Sequence, residues 1–392
     1  MAPHRLVTGI QEATDLTRLK AFALFMAVSC SSATAQNNTN TLEQALGQLP
    51  DKVFSNSDPM PILFLNVQGW RELDDGAPTP ESMRRLALAQ AIRAIQPIGY
   101  GLESWAAKSG ISFDELQYFI SFGQQPSAVT YWGLDSQQST EQFLVRLGHV
   151  GFTKVDGSAS PLVANGEARK IDITKVDAAS PWRGTMGEAS FVMPRETSLV
   201  QASSPDVLVE LGQKSVSTLD SDVISTSLKG LKEAENADGT IIQAGVISPL
   251  FGLEAADPWQ VLSASTQDLD GARRKLKQLA DQNGEGLSPY FGGIIADVQI
   301  QQRPGVVISL AYGDCSTAER AVDDLDKAWR KTMSTADSNE IKGRTVQAGA
   351  LCAATITILS KTSNDTSNPI FAQLMDKYLR RDFSVLKIGS SK

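Results

Sequence analysis

The residue types that most often carry catalysis and metal binding are scarce in this sequence. Its 392 residues include two histidines and three cysteines, and His149 is the only histidine after His4. A zinc site built on two or three histidines is therefore excluded, and no Cys-x-x-Cys spacing replaces it. His149 would have to be the base of any Ser-His-Asp triad. It lies at the predicted end of a helix, where an imidazole commonly interacts with the last carbonyl groups.

Motifs for nucleotide binding and for exported esterases are missing as well. The sequence contains no Gly-x-Ser-x-Gly, no Gly-x-Gly-x-x-Gly and no Gly-x-x-x-x-Gly-Lys. We therefore predict no cofactor. Aspartates recur at short spacing, as at Asp220 and Asp222 or at Asp268 and Asp270, but none continues into a full calcium-binding loop. A hydrolase that uses two carboxylates stays open, because such acids come together only in the fold.

Two Pro-Trp pairs lie in predicted loops and form the candidate ligand site. Trp182 is followed by Arg183, and Trp259 is preceded by Pro258 and Asp257. A loop tryptophan beside a charged residue offers a flat apolar face and an N–H group to a sugar or an amphipathic ligand. The alternative is that these rings close the ends of the hydrophobic core. We predict that a bound ligand contacts Trp182, Arg183, Asp257 and Trp259.

The N-terminal segment has the pattern of a secretory signal. Basic residues at Arg18 and Lys20 precede an eight-residue apolar run, and small residues follow it up to Ala35. The run is too short for a membrane span, which takes about 20 apolar residues. We predict a signal peptide over 1–35 and a periplasmic or extracellular location after cleavage. A lipid anchor at Cys30 is the alternative, because Ala-Val-Ser-Cys loosely resembles a lipoprotein processing site.

The charge of the chain after the predicted signal limits the class of partner that it could bind. Residues 36–392 hold 33 basic and 42 acidic side chains, and a surface with this net charge of −9 repels nucleic acid. We expect a small molecule or an envelope protein as the partner, and the oligomeric state stays open.

Two cysteines remain after the predicted signal. An even pair in an oxidising compartment predicts a disulfide between Cys315 and Cys352, and two buried free thiols are the alternative. Closing this loop of 37 residues would stabilise the fold by about 4 kcal/mol in the chain-entropy description.

Hydrophobic patterning predicts strands and helices without the strict alternation of a doubly wound sheet. A hairpin, a helix and a returning strand follow each other twice, and the segments 124–135 and 301–314 both place Gln-Gln and Pro before an apolar strand. This suggests an internal duplication. The predicted class is α+β, with two similar hairpin-helix-strand units that form mainly antiparallel sheets with helices packed on one face. We place a polar linker at 36–41, an N-terminal half at 42–248 and a C-terminal half at 249–392.

Several individual elements have clear start and stop signals. They are a buried strand at Pro61–Val67, a helix from Pro80 to Ile95, a strand returning over Thr345–Leu359, a helix at Pro369–Leu379 and a final strand at Phe383–Ile388.

These features point to an exported α+β protein that acts as a binding or envelope-associated module without catalysing a reaction. The signal pattern and the lack of catalytic constellations carry this expectation. A carboxylate-dependent exported hydrolase is the alternative.

Overall fold

The fold is known from a computed structural model that covers most of the chain after the predicted signal. It describes residues 38–55, 58–74, 76, 78–124, 127–158, 160–183, 186–213, 216–235, 239–253, 269–364 and 366–390. The predicted signal, Cys30, Asp257 and Trp259 lie outside these residues. The stretch Asn38–Lys392 forms one unit.

The described strands all pair in the antiparallel sense. They are β1 Ile62–Asn66, β2 Leu116–Phe122, β3 Val129–Leu134, β4 Thr153–Lys154, β5 Val163–Ala164, β6 Phe191–Arg195, β7 Ser198–Ala202, β8 Gly239–Ile247, β9 Gly293–Ile300, β10 Arg303–Tyr312, β11 Asn339–Ala348 and β12 Leu351–Ser360.

The described helices range from six to 18 residues. They are α1 Asn38–Gly47, α2 Val67–Glu72, α3 Pro80–Arg85, α4 Leu102–Ser109, α5 Gln137–Arg146, α6 Pro205–Leu211, α7 Asp222–Glu235, α8 Leu269–Asn283, α9 Cys315–Thr332 and α10 Pro369–Leu379. Short 3₁₀ turns lie at Asp51–Ser55, Ala89–Ala91, Gln96–Tyr100, Phe113–Glu115, Leu147–Val150, Ile173–Lys175, Thr218–Asp220, Pro249–Phe251 and Ala336–Ser338.

All described strands belong to one sheet, and the strand order is similar on the two sides of its central pair. The order is β11-β12-β10-β9-β8-β1-β2-β3-β7-β6-β5-β4. β1 and β8 pair at the centre, and the outward order is β2, β3, β7, β6, β5, β4 from β1 and β9, β10, β12, β11 from β8, so on each side three strands follow in chain order and the rest in reverse. The predicted boundary at 248–249 falls just after β8, a central strand, so this sheet runs across it.

Both faces of the sheet are buried, because its central strands are apolar on both sides. Ile294 and Ile295 are consecutive in β9 and contact different cores, since successive side chains of a strand point to opposite faces. Leu325 of α9 packs in the core with Ile295, and Leu228 of α7 packs in the core with Ile294. We call these two sides the α9 face and the α7 face. The α+β class with an antiparallel sheet is confirmed, and the helices cover both faces rather than the single face expected.

Helix α9 shows how the sequence specifies its packing. Asp314 caps the helix by accepting a hydrogen bond from the Thr317 N–H at 2.8 Å. Ala318, Ala321 and Leu325 follow at intervals of three and four residues and are buried against the sheet. The helix therefore has one apolar stripe, and its charged residues stay on the solvent side.

Three predicted elements differ from the structure for local reasons. The helix expected from Pro80 to Ile95 ends at Arg85, and beyond it the N–H groups of Leu88 and Ala89 bond to a buried side chain described below. The strand expected at Thr345–Leu359 is a hairpin, since Gly349 turns the chain with a φ of +61°. Phe383–Ile388 forms no strand, only an isolated bridge from Leu287 to Ile388.

Candidate functional site

An open groove lies where the centre of the sheet meets the C-terminal helix, and its volume is about 230 Å³. Its walls come from the segment before β1, from the hairpin of β2 and β3, from the turn after α3 and from the end of α10. The lining residues are Asp58, Met60, Pro61, Leu63, Ala87, Leu88, Ala91, Ser121, Phe122, Gly123, Gln124, Ala128, Met375, Tyr378 and Leu379.

The floor of this groove is apolar because of the strand register. Leu63 of β1 is paired with Ser121 of β2 on one side and with Gly245 of β8 on the other. Gly245 has no side chain, and Met60 lies over it, at 2.4 Å from the position that a Cβ would take. Met375 of α10 is buried and closes the opposite wall. The floor therefore consists of carbon and thioether groups.

The rim carries one carboxylate, that of Asp58. It accepts hydrogen bonds from the Met60 N–H at 3.0 Å and from Gln124 Nε2 at 3.2 Å, and both donors are neutral. Among the residues that the structure describes, no cationic group lies within 4 Å of this carboxylate. Burial raises the pKa of the neighbouring Tyr378 to about 12, and the charge of Asp58 adds to this rise. Tyr378 is therefore a neutral hydroxyl beside an unpaired anion.

Tyr378 is held in place by aromatic packing. Its ring stacks on Phe251 with the centroids 5.4 Å apart, and Phe383 meets both rings edge-on. Such contacts fix the ring with little freedom to rotate. The polar end of the groove is thus pre-formed.

A buried polar network on the α9 face positions two of the groove walls. Arg85 and Asp297 form a bidentate ion pair, with Nη2 to Oδ1 at 2.7 Å and Nε to Oδ2 at 3.1 Å, and both side chains are fully buried. Gln243 Nε2 donates to Asp297 Oδ2 at 3.0 Å. Gln299 Oε1 accepts from Arg85 Nη1 at 2.7 Å. The ion pair is therefore satisfied mostly by side chains of β8 and β9.

This network extends directly into the groove walls. Gln243 Oε1 accepts hydrogen bonds from the N–H groups of Leu88 and Ala89 at 3.1 and 2.9 Å, which pulls the chain out of helical geometry after α3. Asn368 Nδ2 donates to Asp297 Oδ1 at 2.7 Å, and Asn368 Oδ1 caps α10 by accepting from Phe371 N–H. The turn at 87–91 and helix α10 are thus tied to the same carboxylate.

A second hollow, of about 280 Å³, lies at the start of α9 and is polar. Arg273 Nη2 lies 3.8 Å from Asp314 Oδ2, and Lys277, Asp281 and Arg320 also line this hollow. The first groove differs in combining mainly apolar walls with a single carboxylate at its rim. It is the better candidate site for this reason.

The volume of the first groove limits the size of any molecule that it could hold. Its volume is below the range of roughly 300–1,000 Å³ in which drug-sized ligands are usually enclosed, so it suits one short apolar group. Among the described residues, no group of three or more His, Cys, Asp or Glu side chains could hold a metal ion. Within the same residues, no helix is long and apolar enough to cross a membrane.

The structure places Trp182 in the core, so its ring is not available as a platform for a ligand. It is 1% exposed and stacks on Trp132 at a centroid distance of 4.3 Å. Its Nε1 donates to the Ser109 carbonyl at 3.1 Å. Arg183 is half-buried and donates to the Asn165 carbonyl. Trp182 therefore fits the alternative interpretation, a ring that closes the core. The predicted ligand contact through Asp257 and Trp259 stays a prediction, because these two residues lie outside the described residues.

The other residues singled out in the sequence are placed clearly. Cys315 and Cys352 form a disulfide with their Cα atoms 5.0 Å apart, so this prediction is confirmed. The bridge joins the first turn of α9 to β12. His149 is exposed in the 3₁₀ turn Leu147–Val150 that follows α5.

Sequence reasoning did not find the groove, because its residues come from four separate segments. Asp58 lies in the sequence Asp-Pro-Met-Pro, which reads as an ordinary loop before a strand. Tyr378 sits on a helix whose apolar period indicates only packing. Gln243 and Asp297 could have indicated the buried network, since each is a polar residue inside a mainly apolar strand.

Comparisons with known proteins leave the chain without an assigned family. No family model and no curated protein matches it. Among solved structures, the chain is similar to crystal form I of TP0453, with 10% sequence identity and a TM-score of 0.32. The similarity covers 85% of this chain and 98% of that chain. A likeness of this size carries no argument about function.

Proposed function

We propose that this protein is an exported, non-enzymatic binding module that takes a small amphipathic cation in the groove beside Asp58. The observation that carries this proposal is the unpaired Asp58 carboxylate at the rim of an apolar groove. An apolar floor favours an alkyl or aryl group, and a single anion at the rim favours an ammonium head.

The size of the groove sets the size of the ligand. Its volume of about 230 Å³ corresponds to seven or eight water-sized volumes of about 30 Å³. An alkyl chain of about six carbons fits this space. Each methylene removed from water contributes roughly 0.8 kcal/mol, which is partly offset by the loss of ligand freedom on binding. We therefore expect affinities in the millimolar to micromolar range for a simple probe.

Export and an internal duplication are part of the proposal. The Cys315–Cys352 disulfide supports an oxidising compartment, which agrees with the signal pattern before Ala35. The similar strand order on both sides of the β1–β8 pair, with three strands in chain order and the rest in reverse, supports a duplication. Under this proposal the groove lies at the seam of two related halves, since residues before 130 and after 370 line it.

The test compares three ligands of one shape and different charge. The titrants are n-hexylammonium, hexan-1-ol and hexanoate, and the readout is calorimetry or chemical-shift change. We expect the ammonium to bind most tightly and hexanoate most weakly. Asp58→Asn should weaken hexylammonium binding about fivefold, the effect of one partly exposed ion pair of about 1 kcal/mol. The same variant should leave hexan-1-ol binding unchanged.

Two phenylalanine substitutions, one in the groove and one away from it, locate the site. Ala91→Phe places a ring over the groove and should weaken all three probes, whereas Ala350→Phe adds the same ring at the exposed β11–β12 turn and should weaken none. Hexanoate binding as tightly as hexylammonium would contradict the charge argument. Equal effects of the two phenylalanines would contradict the location.

A further inference from the structure

The outer edge of β11 is the longest open edge of the described sheet. β11 has ten residues and, among the described residues, pairs only with β12, whereas the opposite edge of the sheet ends in the two-residue strand β4. Ten residues in extended geometry span about 33 Å. A long edge exposes unpaired N–H and C=O groups and is a template for a further strand.

Hairpin geometry determines which backbone N–H and C=O groups of β11 point away from β12. Ala348 and Leu351 close the hairpin around a two-residue turn. In such a hairpin the closing pair is hydrogen-bonded, and hydrogen-bonded pairs alternate along the ladder. The even-numbered residues from 340 to 348 therefore bond to β12. The outward groups belong to Ile341, Gly343, Thr345 and Gln347.

The Gln347 carbonyl confirms that the backbone groups of the odd-numbered residues point away from β12. Lys229 of α7 donates from its ammonium to the Gln347 carbonyl at 2.8 Å, which requires that carbonyl to point away from β12. The N–H and C=O groups of Ile341, Gly343 and Thr345 remain for a new strand within the described part of the chain. Three alternate residues are enough for a short antiparallel ladder.

The charges along this edge are mostly positive. Arg344 donates to the Glu233 carbonyl and Lys229 to a carbonyl of β11, so in the described structure neither cation has a carboxylate partner. Glu340 is shared between Lys342 at 2.7 Å and Arg303 at 2.9 Å. Hydrogen bonds from Lys342, and then from Arg303, lower the pKa of Glu340 to about 2. This carboxylate therefore stays ionised and paired with these two cations.

We infer that the edge of β11 binds an extended acidic peptide segment by antiparallel strand addition. Lys342 and Arg344 are two residues apart and point to the same face of the sheet. In the added strand, the residues opposite them form close pairs and are also two apart. Acidic residues at positions i and i+2 would meet Lys342 and Arg344, and Lys229 lies on the same side. This inference is independent of the groove.

A second copy of β11 is a poorer occupant than an acidic peptide. Pairing β11 with itself about Gly343 sets Lys342 opposite Arg344 twice, and in no register does a carboxylate lie opposite both cations, because Glu340 is the only acidic residue of β11. Like charges in directly opposed positions destabilise an antiparallel pair. An acidic peptide can thus place a carboxylate opposite both Lys342 and Arg344, whereas a second copy of β11 can do so for only one of them at a time.

The test uses the peptide acetyl-Thr-Val-Glu-Val-Glu-Val-Thr-amide with a fluorescent label, titrated by anisotropy against the oxidised chain. We expect saturable binding, and binding about five- to tenfold weaker when both glutamates are lysine. Lys342→Gln with Arg344→Gln should weaken the glutamate peptide similarly. Lys154→Gln with Lys170→Gln removes the same charge at the far end of the sheet and should have no effect.

The strand geometry is tested separately from charge. Thr345→Pro removes one outward N–H without removing a bond to β12, so it should abolish binding while circular dichroism stays unchanged. A peptide with N-methylated central valines tests the same point without altering the protein. The inference is overturned if the acidic peptide fails to bind, if the lysine peptide binds equally, or if the methylated peptide binds as well. Self-association that Thr345→Pro abolishes would also overturn it, since the occupant would then be a second copy.

Discussion

The substitution Asp297→Asn should destabilise the fold strongly, because Asp297 is the centre of the network behind the groove. Its carboxylate receives five hydrogen bonds of 2.7 to 3.2 Å, three from Arg85 and one each from Gln243 and Asn368. The Arg85 and Asp297 side chains are both 0% exposed. The asparagine keeps the shape of the side chain but removes the negative charge that pairs with the buried guanidinium of Arg85. Removing one partner of a buried pair costs about 3–5 kcal/mol.

The assay is urea unfolding followed by near-ultraviolet circular dichroism. The matched control is Asp326→Asn, which breaks the exposed pair of Asp326 with Arg330 at 2.9 Å and should change the free energy of unfolding by about 0.5 kcal/mol or less. Arg85→Met and the double variant complete a mutant cycle. We expect a coupling energy of about 1.5 kcal/mol or more between Arg85 and Asp297.

Two results would refute this reasoning. One is a loss in Asp297→Asn no larger than in the control, since the network would then not stabilise the fold. The other is a coupling energy near zero, which would mean that Arg85 and Asp297 act independently despite their contact at 2.7 Å.

Three further predictions concern the disulfide, acid stability and the buried tryptophan. Reduction of Cys315–Cys352 should lower the free energy of unfolding by about 4 kcal/mol for a loop of 37 residues, and an unchanged urea midpoint would contradict this. Hydrogen bonds from Lys377, and then from Ser384, lower the pKa of Asp382 from 3.8 to about 2. The stability from Asp382 is therefore present above about pH 4 and is lost as the pH falls through about 2, so the stability difference between wild type and Asp382→Asn should shrink over that range. Trp182→Phe should leave the acrylamide-quenchable fluorescence unchanged because the ring is 1% exposed, and a lower quenchable signal would show that it meets solvent.

The sequence predicted the elements whose signals are local. Helix α10 was placed at its observed bounds, because Pro369 at the first turn and apolar residues at intervals of three and four define it. The disulfide followed from an even pair of cysteines in a chain with a signal pattern. Strand β3 was found because the segment 124–135 places Gln-Gln and Pro before an apolar run.

The sequence could not predict features that depend on long-range pairing. Helix α3 stops at Arg85 because Gln243, more than 150 residues away, accepts the N–H groups of Leu88 and Ala89. Trp182 was predicted in a ligand site because a loop tryptophan gives no sign of whether a partner ring such as Trp132 will cover it. The groove itself combines segments that are distant in sequence and share no motif.

The most direct test of the account follows the methionine methyl groups during a titration with n-hexylammonium. Met60 and Met375 line the groove, whereas Met193 and Met333 are buried and do not line it. With ¹³C-methyl methionine, the account predicts that the Met60 and Met375 signals shift in a saturable manner while those of Met193 and Met333 stay in place. It also predicts that Asp58→Asn moves the midpoint to about fivefold higher ligand concentration. Shifts at Met193 and Met333 alone, or a midpoint that Asp58→Asn leaves unchanged, would contradict the proposed site.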